Sequence, residues 1–287
     1  MHLDAIRSTT PGGPPPRDRN GTARPDRWAG SVELVHNGTF LAGHVGEYHD
    51  LGHSLRVTRL AAELVPDSPA LALSGLLHDF DLRPAGTPAS VQRTLEALDD
   101  PQVRHALRLT LSEAELLRAR VDIAATDYPP GTVAFVTRYR GLLEQLPPGD
   151  RPAALRQGAL LAAADQNEIY TRPFREAVRA LVGLSREWGA GMDAVLAQAP
   201  GFLDSAGDDT ARVLQEIADS MGLQVRVPRQ KEFLEMLPPE LRAIRQENLE
   251  KIHLLAENAA GLNSQETSRR LSELVDLTER QWKARVQ

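Results

Sequence analysis

The 287-residue chain contains no cysteine. This absence excludes disulfide bonds, iron–sulfur clusters, thiolate zinc sites and a cysteine nucleophile. Any metal must therefore be held by histidine, carboxylate or backbone oxygen. Lysine is also scarce: of the 33 basic residues, only Lys231, Lys251 and Lys283 are lysines, and the rest are arginines.

Excess positive charge and long apolar runs are also missing. The formal net charge of −6 argues against binding to a nucleic-acid polymer, because such binding draws its affinity from a basic surface. The longest apolar stretches, such as 159–164, are far too short to cross a membrane. The first residues carry Asp4 and then a proline cluster without an apolar leader, so no secretory signal is predicted. We expect a cytoplasmic protein with no membrane partner.

Proline, glycine and arginine dominate residues 1–30, which have little apolar surface to offset their ordering entropy. We expect a disordered or loosely attached arm there, followed by one domain over 31–287. From about residue 31 the apolar spacing is helical, and only 223–227 is a candidate strand. The sequence predicts an all-α fold, a compact multi-helix bundle. The expected helices are 51–64, 69–79, 88–98, 101–119, 131–145, 151–168, 173–188, 209–221, 230–256 and 264–284.

Three short segments place histidine or aspartate on apolar helices. His49 and His53 are four residues apart and share a helix face. His78 and Asp79 end one apolar run, and Asp165 ends another. A buried lone carboxylate is costly unless it is paired or binds a metal. A His-Asp pair alone is common by chance, but the order and the helical setting together favour a metal site.

This order of residues resembles the HD superfamily of metal-dependent phosphohydrolases. The resemblance implies that a metal is coordinated by His53, His78, Asp79 and Asp165, with Asp79 bridging to a second ion held mostly by water. It thus implies two divalent ions as cofactors, drawn from Zn, Mn, Mg or Fe. Two such ions lower the pKa of a shared water and neutralise charge on a phosphate.

The resemblance extends to the catalytic domain of the cyclic-nucleotide phosphodiesterases. Tyr-His-Asp-Leu-Gly-His at 48–53 is similar to their Tyr-His-Asn-x-x-His, and Ile-Ala-Ala-Thr-Asp at 123–127 is similar to their Ile-Leu-Ala-Thr-Asp. It implies that a metal-bound hydroxide opens a 3′,5′-cyclic nucleotide to the 5′-monophosphate. His49 would be the general acid for the leaving ribose oxygen, since imidazole holds and releases a proton near neutral pH. Tyr48 would contact the substrate, and Asp79 would belong to the catalytic set.

The same resemblance assigns a nucleotide base contact near the C-terminus. Gln230 would hydrogen-bond the purine edge, and Phe233, three residues on, would stack on the ring. A glutamine at a helix start followed by a core phenylalanine is an equally ordinary pattern. The sequence also departs from the family: Asp50 replaces an asparagine, and Leu82 replaces a histidine.

Other functions stay open on these residues. The departures allow an HD hydrolase of another nucleotide or a phosphomonoester. A non-catalytic binding or regulatory module with a structural metal is a third possibility. The helix at 264–284 carries Leu271, Leu274 and Leu277 on one side and either forms a homodimer or packs on its own domain. A di-iron oxygenase would need further histidine ligands, and among the candidates only His105 lies between Asp79 and Asp165.

Overall fold

The computed structural model describes residues 48–65, 68–79, 91–108 and 112–286. The predicted arm at 1–30 and the departure at Leu82 lie outside these ranges. Within them the chain is helical and forms no strand, so the predicted all-α class is confirmed. The candidate strand at 223–227 is an unpaired connection between two helices.

The described ranges hold twelve α-helices and one short 3₁₀ helix, Ile169–Thr171. The α-helices are α1 (Leu51–Leu64), α2 (Pro69–Leu77), α3 (Val91–Asp99), α4 (Pro101–Arg108), α5 (Glu113–Ala124), α6 (Val133–Gln145), α7 (Arg151–Glu168), α8 (Phe174–Glu187), α9 (Met192–Ser220), α10 (Gln230–Met236), α11 (Pro239–Ala259) and α12 (Ser264–Val286).

Helix α7 lies at the centre of the bundle. Its residues 158–164 are glycine, alanine and leucine, and all are buried. Helices α1, α2, α5 and α9 all pack against it. A helix that is apolar on every side is stable only in an interior, and its small residues allow close approach of its neighbours. Asp165 follows this run directly, so α7 carries a carboxylate to the inside of the bundle.

Two of the errors in the predicted helices are opposite in kind: one helix is longer than expected and one is divided. The helix expected at 209–221 begins at Met192 instead, because α9 continues through Pro200. Its Val195 and Leu196 are buried in one hydrophobic cluster and its Leu214 in another, and this packing outweighs the lost backbone hydrogen bond. Conversely, the single helix expected at 230–256 is two helices that separate at residues 237–238.

The C-terminal helix packs on its own bundle. Leu274 and Val275 of α12 are buried in a cluster that includes Ile252 and Leu255 of α11. This contact occupies the apolar side that the sequence offered for dimer formation. Within the described residues, no helix combines the length and apolarity that a membrane crossing requires.

Candidate metal centre

Three helix ends deliver the four predicted metal ligands to one point. His53 lies in the first turn of α1, and His78 and Asp79 directly follow α2. Asp165 lies in the last turn of α7, which packs against both of those helices. The two histidines are fully buried, while the aspartate side chains are 14% and 21% exposed. One side of the cluster thus faces the interior and the other is accessible.

The ligand atoms of these residues converge closely. His53 Nε2 lies 3.1 Å from His78 Nε2 and 3.1 Å from Asp165 Oδ1. His78 Nε2 lies 2.9 Å from Asp79 Oδ2 and 3.3 Å from Asp165 Oδ1. Atoms of His53, His78 and Asp79 all fall within 4.8 Å of one another. The structure therefore brings together all four residues that the sequence predicted as ligands.

The opposite ring nitrogen of each histidine faces a fixed hydrogen-bond acceptor. His78 Nδ1 lies 2.8 Å from the carbonyl oxygen of Gly75, and His53 Nδ1 lies 3.2 Å from Glu168 Oε2. A carbonyl and an ionised carboxylate only accept, so both Nδ1 atoms carry the proton. In the neutral rings, the two unprotonated Nε2 atoms then lie 3.1 Å apart. Metal-bound histidines are oriented in this way by a carboxylate or carbonyl behind the ring.

The arrangement fits a cation better than it fits hydrogen bonding alone. Asp79 Oδ2 is buried and makes no hydrogen bond of normal geometry, although His78 Nε2 is 2.9 Å away. Two imidazole nitrogens and two carboxylates form a ligand set suited to Zn, Mn, Fe or Mg. His53, His78, Asp79 and Asp165 would hold the metal.

Electrostatics at the cluster also favour a positive charge. Burial lowers the pKa of His78, but the Asp79 and Asp165 carboxylates outweigh it and raise that pKa to about 10. Burial likewise opposes charge on His53, and contacts with Asp165 and Asp79 raise its pKa well above the usual value. Burial raises the pKa of Asp165, yet the facing histidines hold it well below its usual range. Either a proton or a metal ion would supply the positive charge that the two carboxylates favour.

His49, the predicted general acid, is held by a carboxylate that the sequence did not reveal. Its Nδ1 lies 2.5 Å from Glu187 Oε2, at the end of α8. Glu187 Oε1 also accepts the backbone N–H groups of Tyr48 and His49. Burial raises the pKa of Glu187, but these hydrogen bonds bring it below the usual value. The His49 ring is therefore fixed, with Nε2 as its remaining nitrogen.

The departure at Asp50 has a structural explanation. Asp50 is the N-cap of α1, and its Oδ1 accepts the backbone N–H of His53 at 2.7 Å. Aspartate and asparagine cap helices about equally well. Asp50 therefore fixes the start of the helix that carries His53, as asparagine would, and adds one negative charge.

Tyr48 lies against both histidine side chains of its segment. Its ring centroid is 4.7 Å from the rings of His49 and His53. Its hydroxyl donates to Glu168 Oε2 at 3.4 Å, and Arg172 lies over the ring. The side chain is buried, so it acts here as a wall of the site.

Gln230 and Phe233 occupy the core rather than an open pocket. Phe233 is 1% exposed and belongs to a cluster with Leu60 and Leu161. Gln230 is buried over α9, where a Cβ added to Gly207 would lie 2.6 Å from Gln230 Oε1. A stacking ring needs an open face, and Phe233 has none in this structure. Both residues lie outside the cluster of metal ligands, and their contact with a base stays a prediction.

Glu168, Arg56 and Arg172 belong to the site but were missed in the sequence. Glu168 Oε1 accepts from Arg56 Nε and, at 2.7 Å, from Arg172 Nε. Burial raises the pKa of Glu168, but His53 and Arg172 lower it to about 2, so the carboxylate stays ionised. The three-residue spacing from Asp165 places Glu168 on the same helix face, and this was a usable signal. No comparable sequence signal indicated Glu187, because it lies 138 residues from His49, its hydrogen-bond partner.

The fold and the site were compared with known proteins. No family model matches the chain, and neither the curated proteins nor the solved structures gave a significant match.

Proposed function

We propose that this chain is a metal-dependent phosphoester hydrolase of the HD type. The observation that carries the proposal is the convergence of His53, His78, Asp79 and Asp165, with the Nε2 atoms of both histidines 2.9–3.3 Å from carboxylate oxygens. The histidine that the resemblance assigns as general acid lies beside this cluster, with its ring 5.4 Å from that of His53.

Divalent ions bound by these residues would supply an activated water and neutralise charge on the phosphate. The protein's own groups would do the remaining work. Glu187 holds His49 so that a proton on Nε2 can pass to the leaving oxygen. Glu168 and the carbonyl of Gly75 orient the two histidine ligands. The buried Tyr48 ring excludes water from the space between His49 and His53.

For the substrate, a 3′,5′-cyclic nucleotide is the proposal that follows from the resemblance. One observation favours the second candidate, another nucleotide or a phosphomonoester. The residues assigned to the purine, Gln230 and Phe233, are buried in the core. A hydrolase with this metal centre needs only the phosphoester to be placed at the cluster, whatever group the phosphate carries.

Metal analysis combined with a phosphoester panel tests the proposal. The wild-type protein should bind divalent metal, and Asp79→Asn should lose most of it. The control is Asp150→Asn, which removes an exposed carboxylate that makes no side-chain cap hydrogen bond. Equal metal binding by all three proteins would contradict the ligand assignment.

The panel should contain cyclic AMP, cyclic GMP, nucleoside 3′- and 5′-phosphates and a simple aryl phosphate. Hydrolysis that depends on added metal and disappears in Asp79→Asn supports the enzyme. If Gln230→Ala impairs only the cyclic nucleotides, the purine contact is real. Tight metal binding without turnover of any ester would refute the enzyme and favour a binding module.

A further inference from the structure

A pocket rich in arginine opens next to the metal centre. It has a volume of about 210 Å³, and its lining includes Arg56, Arg172 and Arg179 together with Asp50 and Glu176. The Glu168 carboxylate lies behind Arg56 and Arg172, so the three arginines are matched by three carboxylates and the charge of the pocket is balanced. The whole chain, in contrast, carries a net charge of −6. A pocket that presents several guanidinium groups and is not itself negative is where an otherwise acidic protein would repel an anion least.

The arginines keep unused hydrogen-bonding capacity. Each guanidinium has five N–H donors in a planar fork that matches the oxygens of a phosphate. Glu168 accepts one N–H from Arg56 and two from Arg172. Arg179 is exposed and has no ion-pair partner among the described residues. These groups can therefore donate to a ligand while Glu168 holds two of them in place.

The two carboxylates that line the pocket do not use up the N–H donors of the arginines. Asp50 is occupied as the N-cap of α1, and it lies 3.8 Å from Arg56 Nη2. Glu176 lies one turn before Arg179 on α8, and the two form no ion pair. Glu176 weakens the attraction for an anion, and this gives the pocket a residue whose removal should strengthen binding.

The pocket and the metal centre share a wall. Glu168 Oε2 lies 2.5 Å from Arg172 Nη2 and 3.2 Å from His53 Nδ1, so one carboxylate joins the arginines to a metal ligand. Tyr48 lines the pocket and also lies against the ring of His49. A group held by the arginines would therefore lie on the side of the proposed general acid.

We propose that Arg56, Arg172 and Arg179 form a binding site for a phosphate-like oxyanion, separate from the metal centre. In a substrate, this anion is a second phosphate or carboxylate on the part of the molecule that leaves with the proton from His49. That role rests on the proposed function, whereas binding of the anion does not. The substrate class is then a phosphoester with two anionic groups, which favours the second candidate function, because a 3′,5′-cyclic nucleotide carries a single anionic group.

Calorimetric titration with inorganic phosphate tests the site without any reaction. The protein is first treated with a chelator, so that phosphate cannot bind through a metal, and the salt concentration is kept low and constant. We expect saturable binding of one phosphate per chain. Arg179→Ala should weaken it about fivefold, since the side chain is exposed and a charge contact there is worth about 1 kcal/mol. Glu176→Gln should tighten it about twofold, because a like charge is removed.

The matched control is Arg269→Ala, which removes one exposed arginine of α12 that also has no ion-pair partner among the described residues. Its affinity for phosphate should equal that of the wild type. Absence of saturable binding would overturn the proposal. Equal affinities in Arg179→Ala, Arg269→Ala and wild type would do the same.

A kinetic comparison identifies the source of the anion. With metal present, adenosine 3′-phosphate and adenosine 3′,5′-bisphosphate differ by one remote phosphate. If that phosphate binds the arginines, the bisphosphate has the lower KM and Arg179→Ala removes the advantage while kcat is kept. If phosphate binds but the two KM values are equal, the site takes a free anion and its role in the substrate is refuted. Phosphate binding without any hydrolysis would refute the proposed function and leave the anion site standing.

Discussion

The buried carboxyl group of Asp122 makes a quantitative prediction about stability and pH. Asp122 lies in α5 with a fully buried side chain. Ser74 Oγ donates to its Oδ2 at 3.3 Å, and Arg118 Nε is 3.9 Å from its Oδ1, which has no hydrogen bond. Burial is the largest effect, and it raises the pKa from 3.8 to about 7 against the opposing pull of Arg118.

A raised carboxyl pKa means that the folded state holds the proton more tightly than the unfolded chain does. Below pH 4 both states are protonated, and Asp122 costs no stability. Between pH 4 and pH 7 the unfolded chain ionises while the folded state does not, so stability falls by about 1.4 kcal/mol per pH unit. Above pH 7 the loss is complete at about 4 kcal/mol, the product of that slope and the shift from 3.8 to about 7.

Asp122→Asn should therefore equal the wild type at pH 4 and be more stable by about 4 kcal/mol at pH 8, because asparagine does not ionise. Urea unfolding at each pH unit from 4 to 8, in chelator, gives the difference between the two proteins. The other titrating groups contribute equally to the wild type and to Asp122→Asn, so their contributions cancel in the difference between the two free energies of unfolding. Asp150→Asn, at an exposed position, should show no trend. A difference that is independent of pH, or that favours aspartate at pH 8, would refute the reasoning.

Three further predictions concern the site and the core. Glu187→Gln should lower kcat at least about tenfold and leave metal content unchanged, because only the orientation of His49 is lost. Glu168→Gln should weaken metal affinity by about 10- to 100-fold in a metal titration, with circular dichroism as the check on folding. Phe233→Ala should lower the free energy of unfolding by about 3–5 kcal/mol, and the folded fraction should still hydrolyse a simple phosphoester. Full stability with lost cyclic-nucleotide turnover would instead indicate a base contact.

Helical segments were predicted well where packing and local sequence agree. The predicted helix at 151–168 has the bounds of α7, because its small apolar residues fit the most crowded position in the bundle. The sequence failed at Pro200, where packing on both sides carries a helix through a proline. It also failed at 101–119, which forms α4 and α5, because Ser112 and Glu115 build a capping box that starts a new helix.

The site was predictable to the extent that its residues lie in short segments. His53, His78, Asp79 and Asp165 were found because each lies in a short helical segment and their order along the chain resembles that of the HD phosphohydrolases. Glu187 could not be found, because its contact with His49 depends on how α8 lies against the start of α1. The Gln230 and Phe233 spacing fits both a pocket and a core, and only the packing of α10 against α7 distinguishes them.

Gly75 is not a candidate ligand, but it sets the distance between α1 and α2, the two helices that position His53 and His78. A Cβ at this position would lie 2.9 Å from the Cα of Thr58, so α1 and α2 approach as closely as they do only because the side chain is absent. That approach sets the 3.1 Å between the two histidine nitrogens. For metal–ligand bonds of about 2.1 Å, adjacent ligands lie about 3.0 Å apart in an octahedron and about 3.4 Å apart in a tetrahedron. If the candidate centre holds a metal, the contact between two helix backbones would thus help to decide which ionic radius and coordination number it accepts.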